Sequence, residues 1–516
     1  MCELPQEHPG ATLTALAPKP LIRALVVLGA AFGLLVGPAA DARAPGTLDT
    51  SFGHQGKVIT DFGRVDGIED IAIQPDGKIV AVGDSWLLGT GSDHFALARY
   101  AKSGALDPTF GLGGKVTTDF GSLTSAAYGV ALQRDGKIVV AGLAGGDIAL
   151  ARYEPDGSLD GSFGESGKVL TDLGVYSAAF RIVLQPDGKI VVAGPTREHG
   201  SYDAHPPDFV IARYTTDGTL DPSFAAGGVV ITAFQPGFSD TPYGVALAPG
   251  GKIVAAGTGL PGGFSGPGVI DIARYNSDGS PDTTFDGDGA LVSMPTDDSY
   301  SYGGVVVQPD SKIVVAGAVS IGGLALIRYT KTGALDQTFG FARGDVASAL
   351  GGAEDLVRQP DGKFVVAGVK GVSETNAEFM VARFKRSGAL DSSFHGGAAI
   401  TDLGAVDQAR AVALQPDGKI VLGGISEQIS NGFTEAGDFA LARYVGVANC
   451  RVPSVVGKTL RAAKTAIARA NCRLGRVRHR ASARVARGDV VAQRPGAGRI
   501  VPNGSAVDLL VSRGRG

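Results

Sequence analysis

Three short phrases recur in the same order seven times along this chain, so it must fold as a set of like units that bury their apolar faces against one another. The first phrase, Q-P-D-G-K-I-V-x-A-G or a close variant, begins at Gln74, Gln133, Gln185, Ala248, Gln308, Gln359 and Gln415. A-L-A-R-Y or a variant follows each copy, with its arginine at Arg99, Arg152, Arg213, Arg274, Arg328, Arg383 and Arg443. The third phrase, L-D-x-[ST]-F or a variant, supplies Asp49, Asp107, Asp160, Asp221, Asp282, Asp336 and Asp391. From arginine to arginine the period runs from 53 to 61 residues.

One repeat shows what each unit contains. Val130 to Gln133 alternates and ends at Arg134-Asp135-Gly136, a hairpin turn in which glycine supplies positive φ. Ile138 to Ala141 is a β-branched run, Ile148 to Tyr153 a third strand and Lys168 to Leu173 a fourth. Four antiparallel strands in a unit of this length make a propeller blade. Glycine, at 78 residues, fits many short strands joined by tight turns.

The phase of the repeat predicts how the ring closes. The last copy stops at Arg443-Tyr444, its third strand, and an orphan fourth-strand phrase, Leu48 to Phe62, precedes the first copy. Lys57 to Phe62 is therefore expected beside Phe439 to Tyr444, which leaves no open sheet edge. Seven arginines match seven aspartates, and buried charges are tolerated when paired. An ion pair is expected within each blade, Arg99 with Asp107 and, across the closure, Arg443 with Asp49.

The ends of the chain differ from this body. Lys19 and Arg23 precede an apolar run from Ala24 to Ala40, and Ala42-Arg43-Ala44 follows. That order is the pattern of a cleaved secretory signal, so residues 1–44 are expected to be removed, leaving a mature N-terminus near Pro45 and no membrane span. From Ala448 onward, thirteen Arg and two Lys face two Asp, a net charge of +13 that leaves −17 on the rest. A basic tail on an acidic body points to an anionic partner for the tail or to a solvated arginine-rich surface. Cys450 and Cys472 fall together in this tail and, in an exported chain, read as a disulfide.

The phrases QPDGKIVVAG, ALARY and LDxSFG resemble the delta-60 repeat family, β-propeller modules of secreted bacterial proteins of the actinobacterial type. The tail resembles the PASTA domain, a small α+β module of wall-facing kinases and penicillin-binding proteins. It opens with Cys450-Arg451-Val452-Pro453-Ser454-Val455-Val456-Gly457 and continues with a helical pattern from Thr459 to Ala470. Gly488-Asp489-Val490-Val491-Ala492-Gln493-Arg494-Pro495 and Val501-Pro502-Asn503-Gly504 complete the match. The expected fold is an all-β seven-bladed β-propeller over 45–446 followed by a small α+β PASTA domain over 448–514. The resemblance implies contact with peptidoglycan or an anionic wall polymer, and a secreted or wall-associated location. No nucleic acid is implied, and a monomer is expected.

Several motifs are set aside. Asp61-Phe62-Gly63 spells a kinase magnesium motif, but no catalytic-loop H-R-D accompanies it, and it reads as a repeated strand end. Asp282, Asp286 and Asp288 lack the terminal acid of a calcium loop. The spacing of His199, Asp203 and His205 is not diagnostic of a metal site. No metal and no cofactor are expected.

A function breaks the symmetry of a repeat. Five positions before each Gln of the first phrase, or its equivalent, stand Glu69, Tyr128, Phe180, Tyr243, Gly303, Glu354 and Arg410. These positions enter the innermost strands, and all of them but Gly303 are the candidate ligand-binding residues of the channel mouth. Aromatics beside carboxylates suit sugars or peptides. No nucleophile–base pair stands out, so a binding or scaffold protein is the first reading. A hydrolase or lyase of a wall or extracellular polymer, using an acid pair such as Glu69 and Glu354, is the alternative, and a spacer without ligand is the third.

Overall fold

The computed structural model describes residues 44–514, apart from 64, 87–92, 123, 198–206, 262–267, 295–299, 320–322, 341–344, 349, 374–375, 431–432, 447–449, 471 and 502–504. The expected signal segment and the His199, Asp203 and His205 group lie outside the described residues. Among the described residues, no helix is long and apolar enough to cross a membrane.

Seven four-stranded antiparallel blades make up the propeller. Blade 2 is representative, with Ser125–Leu132 innermost, then Ile138–Ala144, Asp147–Tyr153 and, outermost, Lys168–Thr171. The second strand of each blade carries an apolar run, Ile138–Ala141 in blade 2, because blades cover both its faces. Between blades 1 and 2, Val80, Val82, Phe95 and Leu97 pack on Val130, Ile138, Val140 and Tyr153.

Closure follows the phase of the repeat. Lys57–Thr60 is the outer strand of blade 7 and pairs antiparallel with Phe433–Tyr444, Lys57 opposite Ala442 and Thr60 opposite Phe439. The closing strand is two residues shorter than expected, because Asp61-Phe62-Gly63 is a turn. Asp61 accepts the Gly63 N–H, while Phe62 N–H donates to Asp66. Asp119, Asp172 and Asp402 cap Gly121, Gly174 and Gly404 in the same way.

The three repeated phrases meet in one buried polar knot per blade. In blade 1, Arg99 Nε donates to Asp107 Oδ2 at 2.8 Å, and Lys78 Nζ reaches the same oxygen at 2.8 Å. The guanidinium lies 4.6 Å from the centre of the Phe110 ring. Its Nη1 donates to the carbonyl of Pro155 in the next blade. Blade 7 repeats this across the closure: Arg443 pairs with Asp49, Lys419 joins at 3.1 Å, and Arg443 Nη1 donates to the Lys102 carbonyl of blade 1. The knot accounts for Asp282 as well, whose carboxylate is taken by Arg274 and Lys252.

A separate α+β module follows. Its helix, Leu460–Arg469, is capped by Thr459 Oγ1, which accepts the Ala462 N–H at 3.2 Å, and buries Ala463 and Ile467. Strands Arg473–Arg480, Ala506–Ser512 and Val490–Arg494 form its sheet, with Ala506–Ser512 in the middle. Cys450 and Cys472 are bonded, with Cα atoms 4.9 Å apart.

Candidate functional site at the channel mouth

The candidate ring residues share a local geometry that their spacing did not reveal. In six blades the innermost strand carries a β-bulge, and the extra residue is the ring residue. The register shifts between Ile68 and Asp70, Ala127 and Gly129, Pro242 and Gly244, Tyr302 and Gly304, Ala353 and Asp355, and Ala409 and Ala411. In blade 3 the inner strand is broken into Tyr176–Ser177 and Arg181–Leu184, and Phe180 sits at the break. A bulge leaves one residue without a cross-strand partner and re-aims its side chain.

The structure brings these residues into two groups. On one side, Arg410 Nη1 donates to Glu69 Oε1, both half-buried. On the other, the Tyr128 and Phe180 rings meet edge to face at 4.8 Å, and Phe180 stacks on Tyr243 at 6.0 Å and 25°. Gly303 is buried and offers no side chain.

The next column of the repeat adds charge that the ring alone did not predict. Asp70, Arg181 and Asp355 occupy it where other blades have Gly129, Gly244, Gly304 and Ala411. Asp70 Oδ2 accepts the Val130 N–H at 2.9 Å, and Asp355 Oδ2 accepts the Val412 N–H at 2.8 Å, so each staples its blade to the following one. Arg181 Nη1 donates to the carbonyls of Phe180 at 2.9 Å and Tyr128 at 3.3 Å.

Burial governs the ionisation of these groups. The crowded walls of the mouth raise the Glu354 carboxyl, whose side chain is exposed, against the pull of Arg410 and Arg181. Asp70 and Asp84 also rise to about 7, Asp84 being helped by the Glu69 charge. Burial raises the Tyr128 and Tyr243 phenols, so neither is disposed to act as a base at neutral pH.

A cleft of about 520 Å³ opens beside the aromatic group. Phe180, Tyr243 and Glu354 line it, joined by Tyr176, Arg197, Ser239, Thr241, Thr258 and Leu260. Arg197 lies over the Tyr176 ring at 4.5 Å. Of the candidate ring, Glu69, Tyr128 and Arg410 are outside this cleft.

Comparison with known proteins places both parts of the chain. The model of the DUF5122 beta-propeller, a domain of unknown function, matches residues 74–110, 133–163, 185–224, 249–285, 308–339, 359–394 and 415–444. The PASTA domain model matches 451–513. No curated protein matches the chain. Among solved structures, a catalytically inactive virginiamycin B lyase from Staphylococcus aureus, with quinupristin, is 10% identical with a TM-score of 0.42, over 75% of this chain and 98% of that one. The polysaccharide lyase Uly1 is 13% identical with a TM-score of 0.45, over 80% and 94%. The extracellular region of the kinase PrkC from Staphylococcus aureus is 24% identical with a TM-score of 0.14, over 18% and 33%. None of these structural overlaps bears on what the chain binds or does. With seven matched repeats and the matched tail, this chain belongs to the DUF5122 beta-propeller proteins and carries a C-terminal PASTA domain.

Proposed function

We propose that the protein is an exported binding or scaffold protein of the cell envelope. Its PASTA domain contacts peptidoglycan or an anionic wall polymer, and the propeller presents its channel mouth to a second ligand. The mature protein begins near Pro45, the propeller spans 45–446 and the wall module spans 448–514. The observation that carries this reading is the pairing of the matched PASTA domain with a propeller whose bulged residues form a chemically uneven mouth. A uniform spacer has no need of an aromatic group on one side and an Arg410–Glu69 pair on the other.

Co-sedimentation with purified wall sacculi tests the tether. The mature chain is expected in the pellet, and a chain ending at Gly446 is expected in the supernatant. Equal partition of the two would remove the PASTA domain from the wall contact.

A further inference from the structure

The mouth is uneven in a way that selects a ligand. Ser239 and Thr241 line the cleft from alternate positions of the inner strand of blade 4, since side chains of a strand share a face at every second residue, and Tyr243 joins them from the bulge. Thr258 and Leu260 line it from the paired strand. The result is hydroxyls set beside flat apolar plates. Tyr243 is 37% exposed, with Phe180 stacked behind it and Tyr176 on the same wall. Such plates match the C–H faces of sugar rings, and the hydroxyls and Glu354 match their rims.

Charge narrows the choice. Among the described residues, the cleft lining carries one carboxyl, Glu354, and one guanidinium, Arg197. Arg410 is engaged by Glu69, and the cation of the cleft wall, Arg197, lies on Tyr176. The cleft thus gathers no group of cations to hold a carboxylate, and a neutral sugar suits it better than a uronate.

We infer that the cleft formed by blades 3 and 4, with Glu354 of blade 6 reaching it, binds a short uncharged oligosaccharide, stacked on Tyr243 and Tyr176 and hydrogen-bonded by Glu354, an inference that rests on the mouth being the binding face. The saccharide sits with its ring faces on the tyrosines, and its hydroxyls exchange with those of Ser239, Thr241 and Thr258. Glu354, exposed at the bulge, accepts hydrogen bonds from the sugar hydroxyls.

Calorimetric titration of the mature chain tests this, with tri-N-acetylchitotriose and cellotriose as neutral probes, trigalacturonate as the anionic probe and tetra-alanine as the peptide probe. At least one neutral trisaccharide is expected to bind, with trigalacturonate and tetra-alanine weaker by about tenfold or more. Tyr243→Ala is expected to weaken the neutral sugar by about tenfold or more. The partly exposed Tyr243 is not part of the apolar core, and a melting curve matching the parent confirms the fold of the variant. Glu354→Gln, which keeps the shape and one acceptor, should leave the affinity within about threefold at neutral pH. The class is overturned if neither neutral sugar binds, or if trigalacturonate or tetra-alanine binds as tightly. The mouth reading survives that result when Tyr243→Ala abolishes the competing ligand's binding. If a neutral sugar binds and Tyr243→Ala leaves it untouched, the sugar sits elsewhere, on the PASTA domain for example, and both readings fall.

Discussion

Arg443 and Asp49 stand 394 residues apart in the chain, and their side chains meet at 2.9 Å. This ion pair is the seventh copy of a knot that the other six blades make between residues eight positions apart. It fastens the segment that leads into Lys57–Thr60, the first described strand, to the last blade. The same guanidinium then reaches the Lys102 carbonyl, so the closing blade is stapled onward to blade 1.

Removing Asp49 should therefore unlatch the ring. Asp49→Ala strands the buried Arg443 charge and loses the Lys419 contact, a loss of ~3–5 kcal/mol for one partner of a buried pair. Asp107→Ala makes the same change inside blade 1. Chemical denaturation should give similar losses for both if closure is energetically equivalent to an internal blade. A negligible loss for Asp49→Ala alone would show that the N-terminal strand is dispensable.

The repeat columns made the scaffold legible. Lys78, Arg99, Asp107 and Phe110 recur because all four are needed for one knot, and a pattern shared by seven copies reads as structure. The ring column was legible because it varies at a fixed distance from a constant phrase. Asp70, Arg181 and Asp355 lay one column further on, and only their reach across blade boundaries shows what they do. Tyr176 and Arg197 were not legible, because the cleft they line arises where blade 3 breaks its inner strand, and nothing in the local spacing marks that break.

Ser311 tests the turn chemistry. It replaces the glycine of Q-P-D-G-K in copy five and adopts φ 65, while Gly77, Gly136 and Gly188 adopt φ 85, 91 and 90 at the same place. That left-handed conformation strains a residue with a Cβ. Ser311→Gly should stabilise the propeller by ~0.5–1 kcal/mol, read as a rise in melting temperature. Ser311→Val should lower it, because a β-branched side chain tolerates this φ still less.

Blade 4 carries a second departure from the repeat, a carboxyl pair inside the blade. Asp271 stands where the other blades have Ala96, Ala149, Val210, Ala325, Met380 and Ala440. It is fully buried against Asp240, and among the described residues its carboxyl is hydrogen-bonded to that of Asp240 alone. Burial raises both carboxyls, and the Asp240 charge raises Asp271 further. Asp208, beside Asp240, adds like charge. The folded pair thus keeps protons that the unfolded chain releases near pH 4. Its stabilising contribution is complete below that pH and declines as pH rises through the raised values. Asp271→Ala should therefore be more stable than the parent at pH 9, by about 2 kcal/mol, with the gap narrowing towards pH 5. A gap that does not change with pH would mean the pair does not share a proton.

The disulfide should act on the PASTA domain alone. It closes a loop of 22 residues, and in the chain-entropy picture that constraint is worth about 3 kcal/mol. Cys450→Ser with Cys472→Ser should lower the melting of the C-terminal module and leave the propeller transition in place, as read by calorimetry of the mature chain. A shift of both transitions by the same amount would show that the two domains unfold as one unit.

The wall contact makes the last prediction. Arg473, Arg476, Arg478 and Arg480 are exposed along Arg473–Arg480, which among the described strands pairs only with Ala506–Ser512. Unpaired edges are commonly protected by charge, so these arginines have a structural use apart from any ligand. Attraction between exposed charges is screened within about 8 Å at physiological salt. If the module recognises glycan or stem peptide, sacculi should retain the mature chain at about 0.3 M salt, by roughly the same fraction as at physiological strength. Replacing the four arginines by glutamine should then weaken retention at low salt and matter little at high salt. If parent and variant are both released as salt rises, with the parent released later, the contact is charge attraction to an anionic wall polymer. Loss of the parent from sacculi even at low salt would end the wall-tether reading.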